Sequence, residues 1–140
     1  MPTSAFNKFN SFVEAGAEKV HNLGSDTITV ALTAAANAPV ATNTQLSNLT
    51  QISYTNCSSR ACTTASSAQG SGTYKLVIND LTLTASGGSV GPFRYVILYN
   101  DTATNDELIG WYDYGSEITL ADGETFLIDF DGTNGVLTFA

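Results

Sequence analysis

The residues most suggestive of chemistry stand in IDFDGTNGVLTFA (128–140), where Asp129 and Asp131 precede Gly132 and Asn134. Carboxylates one residue apart ahead of turn residues resemble the opening of a calcium loop. An EF-hand takes oxygen ligands from loop positions 1, 3 and 5, glycine at 6 and a bidentate glutamate at 12. With Asp129 first, Asp131 and Thr133 fill the early positions, but Asn134 stands where glycine belongs and Ala140 where the glutamate belongs. The EF-hand is excluded. A weaker cation site built from Asp129, Asp131 and turn carbonyls stays open beside the simpler reading of a turn. Phe126, Ile128 and Phe130 alternate with Thr125, Leu127 and Asp129, the period of a half-buried strand. Asn134–Gly135 suits a turn, and Val136–Phe139 reads as a returning strand. A closing hairpin is therefore expected.

Other chemistry is sparse. His21, the one histidine, has no nucleophile tied to it by spacing, and serine and threonine are too abundant to single out. Asp106 and Glu107 are neighbours in a polar loop, which suits solvation better than acid–base work. SGGSVG lacks the lysine and the following helix of a phosphate loop. Cys57 and Cys62 in CSSRAC, with one histidine, give too few ligands for zinc. They read as two reduced thiols, or as a disulfide formed in an oxidising medium. The expectation is a protein without catalysis, cofactor or metal.

Aromatic residues are the stronger signal. In GWYDYG, a strand would point Trp111 and Asp113 one way and Tyr112 and Tyr114 the other, so one face enters the core and the other is free to anchor a partner or stack on a sugar. Near the N-terminus, Phe6, Phe9, Val13, Ala17 and Val20 fall on helical spacing, with Phe12 beside the stripe. This predicts an amphipathic helix in residues 1–24, either packed on its own sheet or extended as an arm that lays Phe6, Phe9 and Phe12 into a neighbour. The candidate partner-binding residues are thus Phe6, Phe9, Phe12, Trp111, Tyr112 and Tyr114.

These stretches must be positioned by β-structure. After Gly24 the apolar period changes from 3.6 to 2, starting with Ile28, Val30 and Leu32. A long connection around AAANAPVATNTQLSNLTQ follows, with a helical turn near Gln45–Leu49. Ile52–Asn56 and Ala61–Ser67 are weaker strands. In GTYKLVINDLTLTAS the apolar phase slips at Asn79–Asp80, which calls for a bulge or a bend between two strands. The continuous run Tyr95–Tyr99 predicts burial on both faces of a central strand. Eight or nine short strands with frequent turn signals predict an antiparallel sandwich or barrel over residues 25–140, forming one domain with the N-terminal segment.

Composition narrows the class. The 140 residues are 43% hydrophobic and only 13% charged, with a net charge of −8. That is enough apolar material for a real core and about half the usual charged share. A surface of short neutral polar side chains loses little entropy when ordered against a partner. Residues 101–140 hold nine acidic residues and no lysine or arginine. Nucleic-acid and anionic-membrane binding both need clustered positive charge, so neither is expected. No apolar run approaches ~18 residues, and the polar residues in AFNKFNSFVEAGAEKV disrupt a signal peptide, so synthesis in a cytoplasm is expected.

FNKFNSFVEAGAEKVHNLGSDTITVALT, SGTYKLVINDLTLTASGGSVGPFRYVILYNDT and LIGWYDYGSEITLADGETF, which cover most of the chain, resemble the head cement, or decoration, proteins of tailed bacteriophages, those of short-tailed Bordetella phages in particular. The likeness is one of overall pattern, without a chemical motif. It implies a jelly-roll-like β-sandwich on the outside of a virion, clamping neighbouring copies of a major capsid protein with the HK97-type fold, commonly as a homodimer. No catalytic residues carry over. Two alternatives remain: a glycan-binding module of a tail appendage, with its exposed aromatics and acidic loops, and a tail-tube or head–tail joining protein.

Overall fold

The structure is a computed structural model that describes residues 3–140. It is mainly β, with nine antiparallel strands: β1 (Asn7–Lys8), β2 (Ile28–Thr33), β3 (Thr64–Gly70), β4 (Thr73–Ile78), β5 (Leu81–Thr84), β6 (Val90–Asn100), β7 (Leu108–Leu120), β8 (Thr125–Ile128) and β9 (Leu137–Phe139). One helix, α1 (Ser11–Ala17), follows β1. The strands form a four-stranded sheet in the order β1-β7-β6-β2, a three-stranded sheet β3-β4-β9 and a two-stranded sheet β5-β8.

The backbone of the molecule is the hairpin of β6 and β7, whose register runs from Val90↔Leu120 to Tyr99↔Leu108. β6 is buried on both faces, as its unbroken apolar run predicts. Val96 and Leu98 enter the main core with Ile28, Val30, Leu32 and Ile109, against Leu76, Ile78, Leu83 and Ile128 of the smaller sheets. Tyr95, Ile97 and Tyr99 face the other way, into a second cluster with Phe9, Ala31 and Leu108. That second face is closed by the long connection after β2. Its helical turn places Leu46 and Leu49 over the cluster, held by Leu46 N–H donating to Asp106 O (3.0 Å) and Leu108 N–H to Thr44 O (3.0 Å). Further on, the same connection runs beside β2, where Val30 N–H donates to Arg60 O (2.9 Å) and Cys62 N–H to Ile28 O (2.8 Å), so the β2 edge is covered. Ile52–Asn56, expected as a weak strand, is irregular, and the strand expected at Ala61–Ser67 begins at Thr64.

The phase slip at Asn79–Asp80 proves to be a bend between sheets. β4 pairs with β3 and β9, whereas β5 pairs with β8. Asp80 fixes the corner by accepting the Phe130 N–H at Oδ1 (3.0 Å).

Two expectations need correction. The single helix read across residues 6–20 is a short strand and a shorter helix. Asn7 and Lys8 pair with Trp111 and Gly110, and the helix spans only Ser11–Ala17. Phe9 and Phe12 are therefore not on one stripe with Val13, Ala17 and Val20. Both rings are buried, while Val13, Ala17 and Val20 are exposed. Tertiary burial of Phe9 between the sheet and the long connection outweighs the helical period, a weak prior for so short a segment. The closing hairpin is also absent. β8 and β9 lie in different sheets, so Asp129–Val136 carries the chain across from one to the other.

Candidate functional site

On the main-core side of β7 the layers do not close completely. A groove of about 470 Å³ opens there between β7 and the segment that runs from β8 to Asp131. One wall carries Phe6, Tyr112 and Tyr114, the other Phe126 and Phe130, with Val96 and Ile128 between. Strand alternation explains the set. Tyr112 and Tyr114 are two apart on β7, and Phe126 and Ile128 alternate likewise on β8, with Phe130 keeping the same spacing just beyond its end. Phe6 packs on Tyr112 within the first wall at 5.6 Å, and the two walls touch at Tyr112–Phe130 (6.3 Å) and at Tyr114–Phe126 (5.5 Å), the latter edge to face.

Phe6 reaches the groove because the segment before β1 runs along β7. The Ser4 hydroxyl accepts the Asp113 N–H (3.0 Å), and Asn7 Nδ2 donates to Trp111 O (3.3 Å). Opposite Lys8 in the register stands Gly110, and a Cβ there would collide with the Phe6 ring and come 2.7 Å from the Asn7 carbonyl. Glycine at 110 is what lets the segment lie flat on the sheet.

The electrostatics of the rim are acidic. Asp129 and Asp131 border the groove, and no lysine or arginine lines it. Asp131 is held by its own turn. Its Oδ1 accepts the Thr133 and Asn134 amides (2.9 and 2.8 Å) and its Oδ2 accepts Asn134 Nδ2 (3.0 Å), which keeps the carboxyl below its ordinary range. Gly135 ends the turn at φ +82°, and its N–H donates to Asp131 O (3.0 Å). Asp129 makes no side-chain hydrogen bond among the described residues. Burial, with Asp131 nearby, pushes the Tyr112 phenol up to about 12, so it stays a protonated donor at any physiological pH. Across β6 and β7 the half-buried Arg94 forms a two-pronged pair with Asp113 (2.8 and 3.1 Å), which lowers that carboxyl's pKa.

The residues singled out in the sequence divide into three groups. Phe6, Tyr112 and Tyr114 come together in the groove. Trp111 lies on the opposite face of β7, its ring 4.6 Å from Phe9. Phe9 and Phe12, expected as contact residues, are core residues, with 0% and 2% of their surface exposed, and offer no face to a partner. The weaker cation site is not assembled either: Asp131 is occupied by its turn, and no cluster of three or more His, Cys, Asp or Glu suited to a metal occurs among the described residues. Cys57 and Cys62 are free thiols, and burial pushes Cys62 up to about 12. Phe126 and Phe130 were legible as strand residues, but nothing in their spacing marked them as a groove wall.

His21 sits apart from the groove. It is buried against Phe12 (5.2 Å between rings), and its Nδ1 lies 3.0 Å from Asn100 Nδ2. Asn100 Oδ1 already accepts the amides of Thr102 and Ala103, so the Asn100 nitrogen is the donor and His21 Nδ1 the acceptor. That nitrogen also donates to Asp26 Oδ2 (2.6 Å). The arrangement requires a neutral imidazole, and burial lowers its pKa. Among the described residues no nucleophile is hydrogen-bonded to it.

No protein-family model matches the chain, and no curated protein or solved structure does so either.

Proposed function

We propose that this chain is a structural coat component, a cement protein that binds the outside of a bacteriophage head and clamps neighbouring major capsid protein subunits of the HK97-type fold. The observation that carries this reading is the convergence of Phe6, Tyr112 and Tyr114, from stretches about a hundred residues apart, into one half-open aromatic groove. Aromatic side chains clustered in a concave surface are the usual anchors of protein interfaces. The low charge content of the surface supports the same reading. The nested pairings of β6 with β7, β5 with β8 and β4 with β9 are compatible with the jelly-roll-like sandwich proposed here, although β1–β7, β2–β6 and β3–β4 lie outside that series. Assembly as a homodimer would make each engagement bivalent, so that a weak single contact becomes tight overall. Clamping is then additive over the shell, which resists the pressure of packaged DNA.

The test is particle stability. Heads lacking this chain should release DNA at a lower temperature than complete heads, and adding back the purified protein should restore the difference. Identical release curves with and without the chain would reject the cement role.

A further inference from the structure

The groove has features that specify its occupant more closely than a general apolar contact. Val96 and Ile128 form an apolar floor, and Phe6 and Phe130 extend the apolar surface up the two walls. Tyr112 and Tyr114 line the groove, and neither hydroxyl makes a hydrogen bond among the described residues. The rim carries Asp129 and Asp131 with no basic residue, in a chain of net charge −8. We infer that this groove takes an extended peptide segment whose apolar side chain is flanked by lysine or arginine. The apolar side chain fills the floor, a backbone carbonyl of the segment accepts from Tyr112, and the basic neighbours lie against the acidic rim.

A saccharide fits less well. Sugar stacking needs a ring face left bare to solvent, whereas here Tyr114 meets Phe126 edge to face and Phe6, Tyr112 and Phe130 are tilted against one another. These contacts occupy ring faces that a sugar would need, while the half-open groove beside them keeps room for a side chain.

This inference rests on the reading that the chain docks onto a protein shell, and it names the chemistry of the shell segment. It is tested with the purified full chain, so its outcome is independent of the particle experiments. Fluorescence anisotropy with a fluorescein-labelled peptide GSKLKSG should show saturable binding. Replacing its leucine by serine should weaken binding about tenfold or more, as loss of a buried leucine side chain requires. The acidic counterpart GSELESG should bind more weakly still, and added salt should weaken GSKLKSG. Asp129→Asn, at an exposed carboxylate without internal hydrogen bonds, should weaken GSKLKSG about two- to fivefold, the range of a solvent-exposed ion pair, with an unchanged melting curve. No saturable binding, equal binding of the basic and acidic peptides, or displacement of the probe by a free oligosaccharide would overturn the inference. If the peptide result failed while the protein still loaded onto heads, the groove assignment would fall and the cement role would stand. If the peptide bound but heads took up no protein, the reverse would follow.

Discussion

Trp111 and Tyr112 are consecutive residues of one strand, both aromatic and both half-buried, yet their surroundings differ in kind. Behind Trp111 the sheet is sealed. Phe9 is fully buried against it, and Leu46 and Leu49 of the long connection lie over the same cluster. Behind Tyr112 the covering layer is β8, which leaves after Ile128 to cross into the sheet of β9, and a groove remains. One face was closed by a chain segment long enough to fold down on it. The other was covered by strands that part company. Exposure of an aromatic residue here is decided by the path of the neighbouring connections, and not by the strand that carries the residue.

The contrast can be broken most sharply at the N-terminal phenylalanines. Phe9→Ala removes a fully buried ring and should cost about 3–5 kcal/mol of folding stability by denaturant titration. Phe6→Ala removes a half-buried ring at the groove and should cost only about 1–2 kcal/mol. Equal losses would mean that the groove is closed core and that the two faces do not differ. Gly110→Ala should cost about 1–3 kcal/mol, because the added methyl displaces the Phe6 ring and crowds the Asn7 carbonyl. Hydrogen exchange should then accelerate at Asn7 and Lys8 and stay slow in β6. Uniform acceleration would show that the N-terminal segment is not a separable layer.

A weaker lever is pH. His21 is held neutral in the fold with its pKa lowered, so the unfolded chain takes up the proton first. Stability should hold above the ordinary histidine pKa near 6.5, fall as pH drops below it, and stop falling on this account once the folded protein protonates as well. His21→Gln should flatten that part of the profile. Desolvation outweighs the opposing pull of Glu107 and Asp26 in setting this sign, so a rise in stability on acidification would contradict it. The smallest effect is expected for Tyr114→Phe. Its hydroxyl has no partner among the described residues, so stability should stay within about 0.5 kcal/mol.

Much of this fold was legible in the sequence where burial follows a simple period. Ile28, Val30 and Leu32 mark β2, the unbroken run Tyr95–Tyr99 marks a strand covered on both faces, and the slip at Asn79–Asp80 marks the corner between β4 and β5. The failures share a cause. Phe6, Phe9 and Phe12 sit three residues apart, which suits a helix, but Phe6 and Phe9 are bordered by Tyr112, Trp111 and the connection after β2, and Phe12 by His21 and Phe139, contacts that no local period reveals. Likewise Asp131, Asn134 and Gly135 revealed a turn, but turn chemistry alone does not tell a hairpin from a crossing between sheets. Of the candidate site, GWYDYG gave Tyr112 and Tyr114 and their common direction. Its second wall, Phe126 and Phe130, became visible only once β8 was placed opposite.

The most direct measurement of the central claim is the copy number of this chain per purified particle, by quantitative gel densitometry against the major capsid protein. A cement protein spread over the shell predicts close to one copy per capsid subunit. A handful of copies per particle, or none, would contradict the account and move the aromatic groove to a different partner.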